Sequence, residues 1–313
     1  MLPAAVALVA ALAAAGSGWQ LAAVDEAGIS PGILHAAAHV EIAVIDTGAD
    51  LSVPEIAART VRAYDVRTGT SDVRDVNGHG TFVTSLAAAY SGNAHLLIVK
   101  AGSSSGAFSD AAESAAIRYA IAHGARIINL SIGGPTTSKV ERSAIRFAVA
   151  RGALVVAAAG NDYGLGNPVE YPAALLQPVG SDGVGGMGLV VAAAQNGARA
   201  SFSGTGSWIS LAAPGVSVYG ALGRNRYGRG SGTSFAAAEV SGAAALVWAA
   251  DPRLTAQRVA RLLEETASGH GAWTPSLGYG VIDVAAAVGR AYAVASTRSI
   301  DAPSARRRSS IRS

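Results

Sequence analysis

Short runs of consecutive apolar residues alternate along the chain with stretches in which apolar residues recur every three or four positions. The first pattern reads as buried strand and the second as helix. Glu41–Asp46, His95–Lys100, Arg126–Ser131, Ala153–Ala159, Leu189–Ala194 and Trp208–Ala212 are of the first kind, and Arg62–Asp65 is a weaker example. Helices are expected from His79 to Ala89, Ser109 to His123, Ser138 to Arg151, Thr255 to Glu265 and Val284 to Ala295. One stretch dominates. From Ser234 to Ala250 the only charged residue is Glu239, and the run stops at Asp251-Pro252, where proline cannot continue a helix. A helix apolar on nearly every side is a buried one. Its length also admits a membrane span, but Glu239 and the many small residues favour a tightly packed core helix. Strands alternating with helices predict an α/β fold: a doubly wound, mostly parallel sheet with helices on both faces.

Composition adjusts this picture at the ends. Half of the 313 residues are hydrophobic, enough for one large core. The net charge is +3, from 24 basic and 21 acidic residues. The last sixteen residues hold five arginines and one aspartate, so the tail carries +4 and the remainder −1. The basic character therefore belongs to the tail, and the globular part gives no nucleic-acid signal. The absence of cysteine excludes disulfides, thiolate metal sites and cysteine nucleophiles. The apolar run Leu2–Ala15, followed by small residues, has the form of a signal peptide, although no Lys or Arg precedes Arg59. The expected division is a signal peptide over 1–18, a single domain over 19–295 and a disordered basic tail over 296–313. Export is expected, and a cytoplasmic location fits the cysteine count equally.

Candidate chemistry collects where this fold puts it, at the carboxyl ends of strands and at helix starts. The strand ends offer Asp46, Ser131-Ile132-Gly133 and Gly160-Asn161; the helix starts offer His79 and Ser234. Taken alone, Ser234 is either a nucleophile held at a rigid helix start or an N-cap serine. An acid, a histidine and a serine together form a possible nucleophile–base–orienter set. His79 would take the serine proton, Asp46 would hold the imidazole, and the Asn161 amide with the Ser234 N–H would meet an oxyanion.

Ile45-Asp-Thr-Gly48, Asn77-Gly-His-Gly-Thr81, Asn129-Leu-Ser-Ile-Gly-Gly134, Ala158-Ala-Gly-Asn161 and Gly232-Thr-Ser-Phe-Ala-Ala237 follow one another in order. Together they resemble the successive motifs of the subtilisin-like serine proteases, and the order Asp, His, Ser is that family's. The resemblance runs from about Trp19 to Tyr292. It implies a serine endopeptidase acting on polypeptides, with Asp46 as orienter, His79 as general base and acid, Ser234 as nucleophile and Asn161 as oxyanion donor. Ser131, Ile132 and Gly133 would pair with the substrate main chain as an extended strand. No cofactor is implied. A non-catalytic binding or scaffold protein of the same fold is the alternative reading.

Departures from the family pattern qualify the resemblance. Phe235, Phe82 and Ala238-Glu239 replace common residues without removing a reacting group. The loop Tyr90–Ala94 is short and has no carboxylate, so the calcium site many relatives carry there is not expected. The segment before Trp19 is shorter than a folding prodomain, which brings in a separate folding or maturation partner. Asp162 and Glu170 match positions at the rim and floor of the family's primary specificity pocket. Two carboxylates at one slot call for a cation, which predicts a basic residue before the cleaved bond; alternatively, Glu170 turns outward and leaves a small apolar pocket. Gly102-Ser-Ser-Ser-Gly106 matches the hydrolase elbow G-x-S-x-G, which would make Ser104 the nucleophile of an esterase, but the triad order is wrong for it. Gly183–Gly188 matches G-x-G-x-x-G, but a strand follows where a helix should. Asp75 reads as a turn former.

Overall fold

The computed structural model describes residues 28–177, 186–224 and 226–300. The expected signal peptide, residues 183–185 of the glycine-rich stretch and the tail arginines at 306–308 lie outside them. The chain passes through helix α1 (Pro31–Ala36), β1 (Glu41–Asp46), the short α2 (Pro54–Ala57), β2 (Thr60–Asp65), α3 (His79–Ala89), β3 (His95–Lys100), α4 (Asp110–Ala122), β4 (Ile127–Leu130), α5 (Lys139–Ala150) and β5 (Leu154–Ala158). It continues with α6 (Ala173–Leu176), β6 (Gly188–Gln195), β7 (Ala198–Arg199), β8 (Leu211–Pro214), β9 (Val218–Gly223), β10 (Arg226–Gly230), α7 (Thr233–Ala250), α8 (Ala256–Thr266) and α9 (Val284–Ile300).

The main sheet runs β2-β3-β1-β4-β5-β6-β7, with β8 also paired to β6. All its pairings are parallel except the short β6–β7 contact. Because both faces are covered, the strands are apolar at almost every position, and alternation sorts their side chains into two cores. Ile42, Val44, Leu96, Ile98, Leu154, Val156, Leu189 and Val191 face α3, α7, α8 and α9. Ala43, Ile45, Leu97, Val99, Ile128, Leu130, Val155 and Ala157 face α4, α5 and α6. The sheet ends its central strands side by side, with Asp46 opposite Lys100 and Ile45 opposite Leu130. That edge carries the site.

Helix α7 lies against the first face, and every residue in it except Phe235 is buried. It is the only helix among the described residues long and apolar enough to cross a membrane, and 94% of it is buried inside the fold; it is a core helix. Trp248 anchors its end, its indole N–H donating to the Leu254 carbonyl at 2.8 Å just past the proline stop.

The structure departs from the expected elements in three places. The strand expected at Trp208–Ala212 begins at Leu211, where the register with Val191 opens. Trp208 and Ile209 are buried because they fill the core, not because they pair. The antiparallel hairpin β9–β10 adds two strands to the expected elements. Finally, α9 continues to Ile300, past the boundary at 296, so the first residues of the expected tail are helical.

Candidate active site

Asp46 is the last residue of β1 and is 1% exposed. Its Oδ1 accepts the Thr47 N–H at 2.7 Å and lies 2.8 Å from His79 Nδ1. His79 opens α3 after Gly78, whose φ of 95° turns the chain as only glycine does readily. The turn is held by Asp75. Its Oδ1 accepts from the Gly78 N–H at 2.9 Å, the Asn77 N–H at 3.1 Å and the Thr47 hydroxyl at 2.9 Å. Its Oδ2 accepts from both the N–H and the hydroxyl of Thr81 at 2.7 Å. Thr47 Oγ1 in turn accepts the Gly80 N–H at 3.0 Å, which ties the end of β1 to the start of α3. Asp75 is thus the turn former it was read to be, and more: it caps the helix that carries His79. Burial pulls the His79 pKa down, but the Asp46 charge, its hydrogen bond and the Asp75 charge outweigh burial, and the net direction is up. For Asp75, burial works upward, yet the surrounding N–H and O–H donors hold its carboxyl below the ordinary value.

Ser234 sits in the first turn of α7, 8% exposed. Its hydroxyl is 3.3 Å from the Ser131 carbonyl oxygen and is not directed at His79. The next residue, Phe235, places its ring 6.0 Å from the imidazole and 4.3 Å from Phe82. Asn161 follows β5. Its Oδ1 accepts the Thr233 N–H at 2.9 Å and lies 3.1 Å from the Thr233 hydroxyl. A main-chain N–H can only donate, so the amide oxygen is fixed toward Thr233 and the NH₂ points away from it, free to donate. Ser131 turns its side chain inward, donating to the Ser234 carbonyl at 2.8 Å and accepting from Asn129 Nδ2 at 2.9 Å, while Asn129 Oδ1 accepts from Ser241 at 3.0 Å. This buried chain stitches β4 to α7 beneath the serine. Ile132 is 8% exposed and belongs to the second core.

Asn129, Thr233 and Ser241 were not singled out from sequence. Asn129 left one signal, a polar residue inside an otherwise apolar strand, where a buried amide must have partners.

Glu170 turns inward and is 6% exposed, which removes the outward alternative. The next residue, Tyr171, pairs both ways with Gly134, at 3.0 and 2.9 Å. Glu170 then lies between the two loops that follow β4 and β5. A Cβ on Gly133 would come within 2.8 Å of Glu170 Oε2, and one on Gly160 within 2.5 Å of its Cγ. Asp162 is exposed. Ser104 gives its main-chain carbonyl to Asn77 Nδ2 at 3.2 Å in the loop before α4, and its exposed hydroxyl has no histidine partner among the described residues.

A family model described as the subtilase family matches residues 37–280. The chain belongs to the subtilase family. It is 36% identical over 261 residues to subtilisin DY of Bacillus licheniformis, covering 80% of this chain and 91% of that protein. It is also 36% identical over 219 residues to a thermophilic serine proteinase of Bacillus sp. (strain AK1), of which it spans about half, 51%, while the match covers 66% of this chain. A solved cold-adapted subtilisin-like serine proteinase superposes with a TM-score of 0.68 at 27% identity, covering 79% of this chain and 89% of that one. The mostly parallel sheet flanked by helices is that of the solved subtilisin-like proteinase, and this subtilase is a serine endopeptidase.

Proposed function

We propose that this subtilase hydrolyses polypeptides with Ser234 as nucleophile, His79 as general base and acid, Asp46 as orienter and Asn161 as oxyanion donor. The observation that carries the reading is the His79–Asp46 pair, closed at 2.8 Å from a buried strand end. It fixes the Nδ1–H tautomer and leaves Nε2 to accept a proton. Rotation of Ser234 about χ1 takes its hydroxyl from the Ser131 carbonyl to Nε2, a contact that tightens when substrate is bound. Oγ then attacks the scissile carbonyl carbon as its proton passes to His79. The C=O electrons move to oxygen, which the Asn161 NH₂ and the Ser234 N–H receive. Collapse expels the amine, which takes the proton from His79 and leaves an acyl-enzyme. Water repeats the sequence and frees the acid. Ser131–Gly133 pair with the substrate main chain, and the slot between Gly133 and Gly160, with Asp162 and Glu170, receives the side chain before the cleaved bond. The apolar Leu2–Ala15 run supports export as part of this reading.

A fluorophosphonate, which reacts with activated serines, is expected to label Ser234. Ser234→Ala should abolish labelling and lower peptide hydrolysis by a factor on the order of 10⁴ or more, with the fold intact by circular dichroism. His79→Ala should be nearly as severe, and the double variant no worse than the worse single one, because the two act as a unit. Additive losses would reject the assignment.

A further inference from the structure

We propose that the groove between the turn carrying His79 and the tip of the β9–β10 hairpin is an accessory binding surface for the departing half of the substrate. It selects polypeptides that carry apolar and acidic residues well downstream of the cleaved bond. The inference rests on the site assignment above and adds a substrate class. The groove holds about 750 Å³ and lies across the serine from the strand-pairing segment Ser131–Gly133. Its near wall includes Asn77 and Gly78, which immediately precede His79. The leaving amine takes its proton from His79, so the departing chain passes over that turn. The hairpin closes against the same corner, where the Phe82 ring presses on Gly220 and the Phe235 ring on Gly230.

Apolar side chains converge there. Among the described residues eight large apolar side chains stand exposed, and three of them, Leu51, Val76 and Leu222, line this one groove. They come from three separate segments. A single exposed apolar residue needs no account, but three gathered on a concave surface continuous with the cleft mark a binding surface. The walls are tied together without a ligand. The Ala49 N–H donates to the Val73 carbonyl at 2.9 Å, the Asp50 N–H to Thr81 Oγ1 at 3.0 Å, and the Arg224 N–H to Asp50 Oδ2 at 2.7 Å. The surface is therefore formed before substrate arrives, which lowers the cost of binding.

Charge gives the groove its preference. Its acids are engaged by its own walls: Asp50 by the Ser52 N–H and hydroxyl and the Arg224 N–H, Asp72 by the Arg74 guanidinium, and Asp75 by the five donors already described. Arg224 and Arg226 differ. Both are exposed at the hairpin tip, both line the groove, and neither guanidinium pairs with a carboxylate among the described residues. A chain that seats apolar side chains near Leu51, Val76 and Leu222 thus meets two guanidiniums without counter-ions and no acid left to accept a cation. Carboxylates on that chain would find charge-assisted partners, while lysine or arginine would find repulsion.

The test uses peptides identical through the cleaved bond and continuing for about eight residues beyond it, roughly 26 Å of extended chain. In the extension leucine alternates with glutamate or with lysine, or serine alternates with glutamate. By kcat/KM the leucine–glutamate peptide should exceed the leucine–lysine peptide by roughly 3–10-fold, the scale of two exposed ion pairs. That ratio should shrink toward one in about 0.5 M salt. Arg224→Gln combined with Arg226→Gln should bring it close to one, and Arg224→Glu with Arg226→Glu should invert it; both pairs keep the main-chain bond to Asp50. Leu222→Ser should narrow the gap between the leucine–glutamate and serine–glutamate peptides. Fluorescence anisotropy of the labelled leucine–glutamate peptide on Ser234→Ala gives a readout independent of turnover. Its Kd should rise roughly 3–10-fold when both arginines become glutamine. Equal kcat/KM for the glutamate and lysine peptides, or a glutamate preference that survives the double glutamine variant, overturns the inference while leaving the triad standing. If Ser234 proves unreactive, the triad fails instead, and the anisotropy comparison still decides the groove.

Discussion

The turn that carries Asp75 and the first turns of α4 and α5, which carry Glu113 and Glu141, lie at the same carboxyl edge of one sheet. Each holds buried or half-buried acid, and their surroundings are opposite. Asp75 collects five donors from Thr47, Asn77, Gly78 and Thr81, and its carboxyl is held below the ordinary range. Glu113 and Glu141 are 5% and 2% exposed, and Glu113 Oε1 and Glu141 Oε2 meet no donor among the described residues. Burial, then Glu141, then Asp110 push Glu113 up to about 8. Glu141 is also raised, chiefly by burial, although donors at Thr137 and Ser138 resist this. Being an acid near the surface of a sheet edge therefore decides little; the number of N–H and O–H groups aimed at the carboxylate decides whether it stays charged. The corner built on donors is the one that holds His79.

The largest break in that comparison is Asp46→Asn. Asparagine matches the shape, still accepts from Thr47, and loses the charge that stabilises the imidazolium and selects its tautomer. Peptide kcat should fall on the order of 10⁴-fold, with little change in melting temperature. A fall below tenfold would show that Asp46 does not orient His79.

Asp75→Asn comes next. One of its two oxygens becomes an NH₂ facing donors, so at least two charge-assisted hydrogen bonds at the start of α3 are lost. Unfolding in urea should show a loss of roughly 3–4 kcal/mol, and kcat should drop more than KM rises. Activity needs neutral His79, so its raised pKa places the acid limb of kcat/KM above the ordinary histidine value of about 6.5. Removing the Asp75 charge lowers that pKa, and the limb should move toward lower pH. An unmoved limb would reduce Asp75 to a turn former alone.

The donor-rich corner was largely readable in the sequence because its parts are local. β1, α3 and β3 match the expected spans residue for residue. Each is a strong periodic run closed by glycine or by a polar residue, and closure fixes where Asp46 and His79 stand. What could not be read depends on distant partners. The strands β9 and β10 hold glycine at Gly220, Gly223, Gly228 and Gly230, which reads as loop. Gly220 and Gly230 are there because the Phe82 and Phe235 rings press against them, and no local pattern announces that. The bracing of Ser234 by Asn129 through Ser131 joins residues about a hundred positions apart. Glu113 and Glu141 look like ordinary first-turn acids, favoured by the helix dipole. Only the packing of α4 against α5 reveals that they face each other.

Glu113→Gln tests the donor-poor corner, and its sign follows from linkage. The folded-state pKa, about 8, lies above the ordinary 4.5. The folded protein keeps a proton that the unfolded chain releases, so stability falls as pH rises through that interval and levels off above it. Glutamine carries no such proton. The variant should match the native protein near pH 4.5 and exceed it by roughly 1–3 kcal/mol at pH 8, with Glu141 retaining part of the slope. Urea unfolding at both values, in a Ser234→Ala background to prevent self-digestion, gives the comparison. Equal stability gains at the two pH values would mean that glutamine merely packs better.

The smallest effect expected is that of a chelator, and it sharpens the same lesson from the other side. A hard cation needs several oxygens whose lone pairs are not already engaged. The loop Tyr90–Ala94 offers no carboxylate. The acids nearest the site edge are occupied as Asp75 is: Asp50 accepts from Ser52 N–H and hydroxyl and from Arg224 N–H, Asp65 from Arg67 N–H, and Asp72 from the Arg74 guanidinium. These residues do not fit a calcium cage. Adding EDTA to the Ser234→Ala protein should therefore move the melting temperature by no more than about 1–2 °C. A native-state calcium site held at a hundred times its Kd would contribute about 2.7 kcal/mol, and a domain of this size would lose roughly 5–10 °C on its removal. A fall of that size, reversed by adding calcium back, would mean that the donors around Asp50 or Asp65 yield to a cation, and that the donor-rich corner is held by metal as well as by N–H groups.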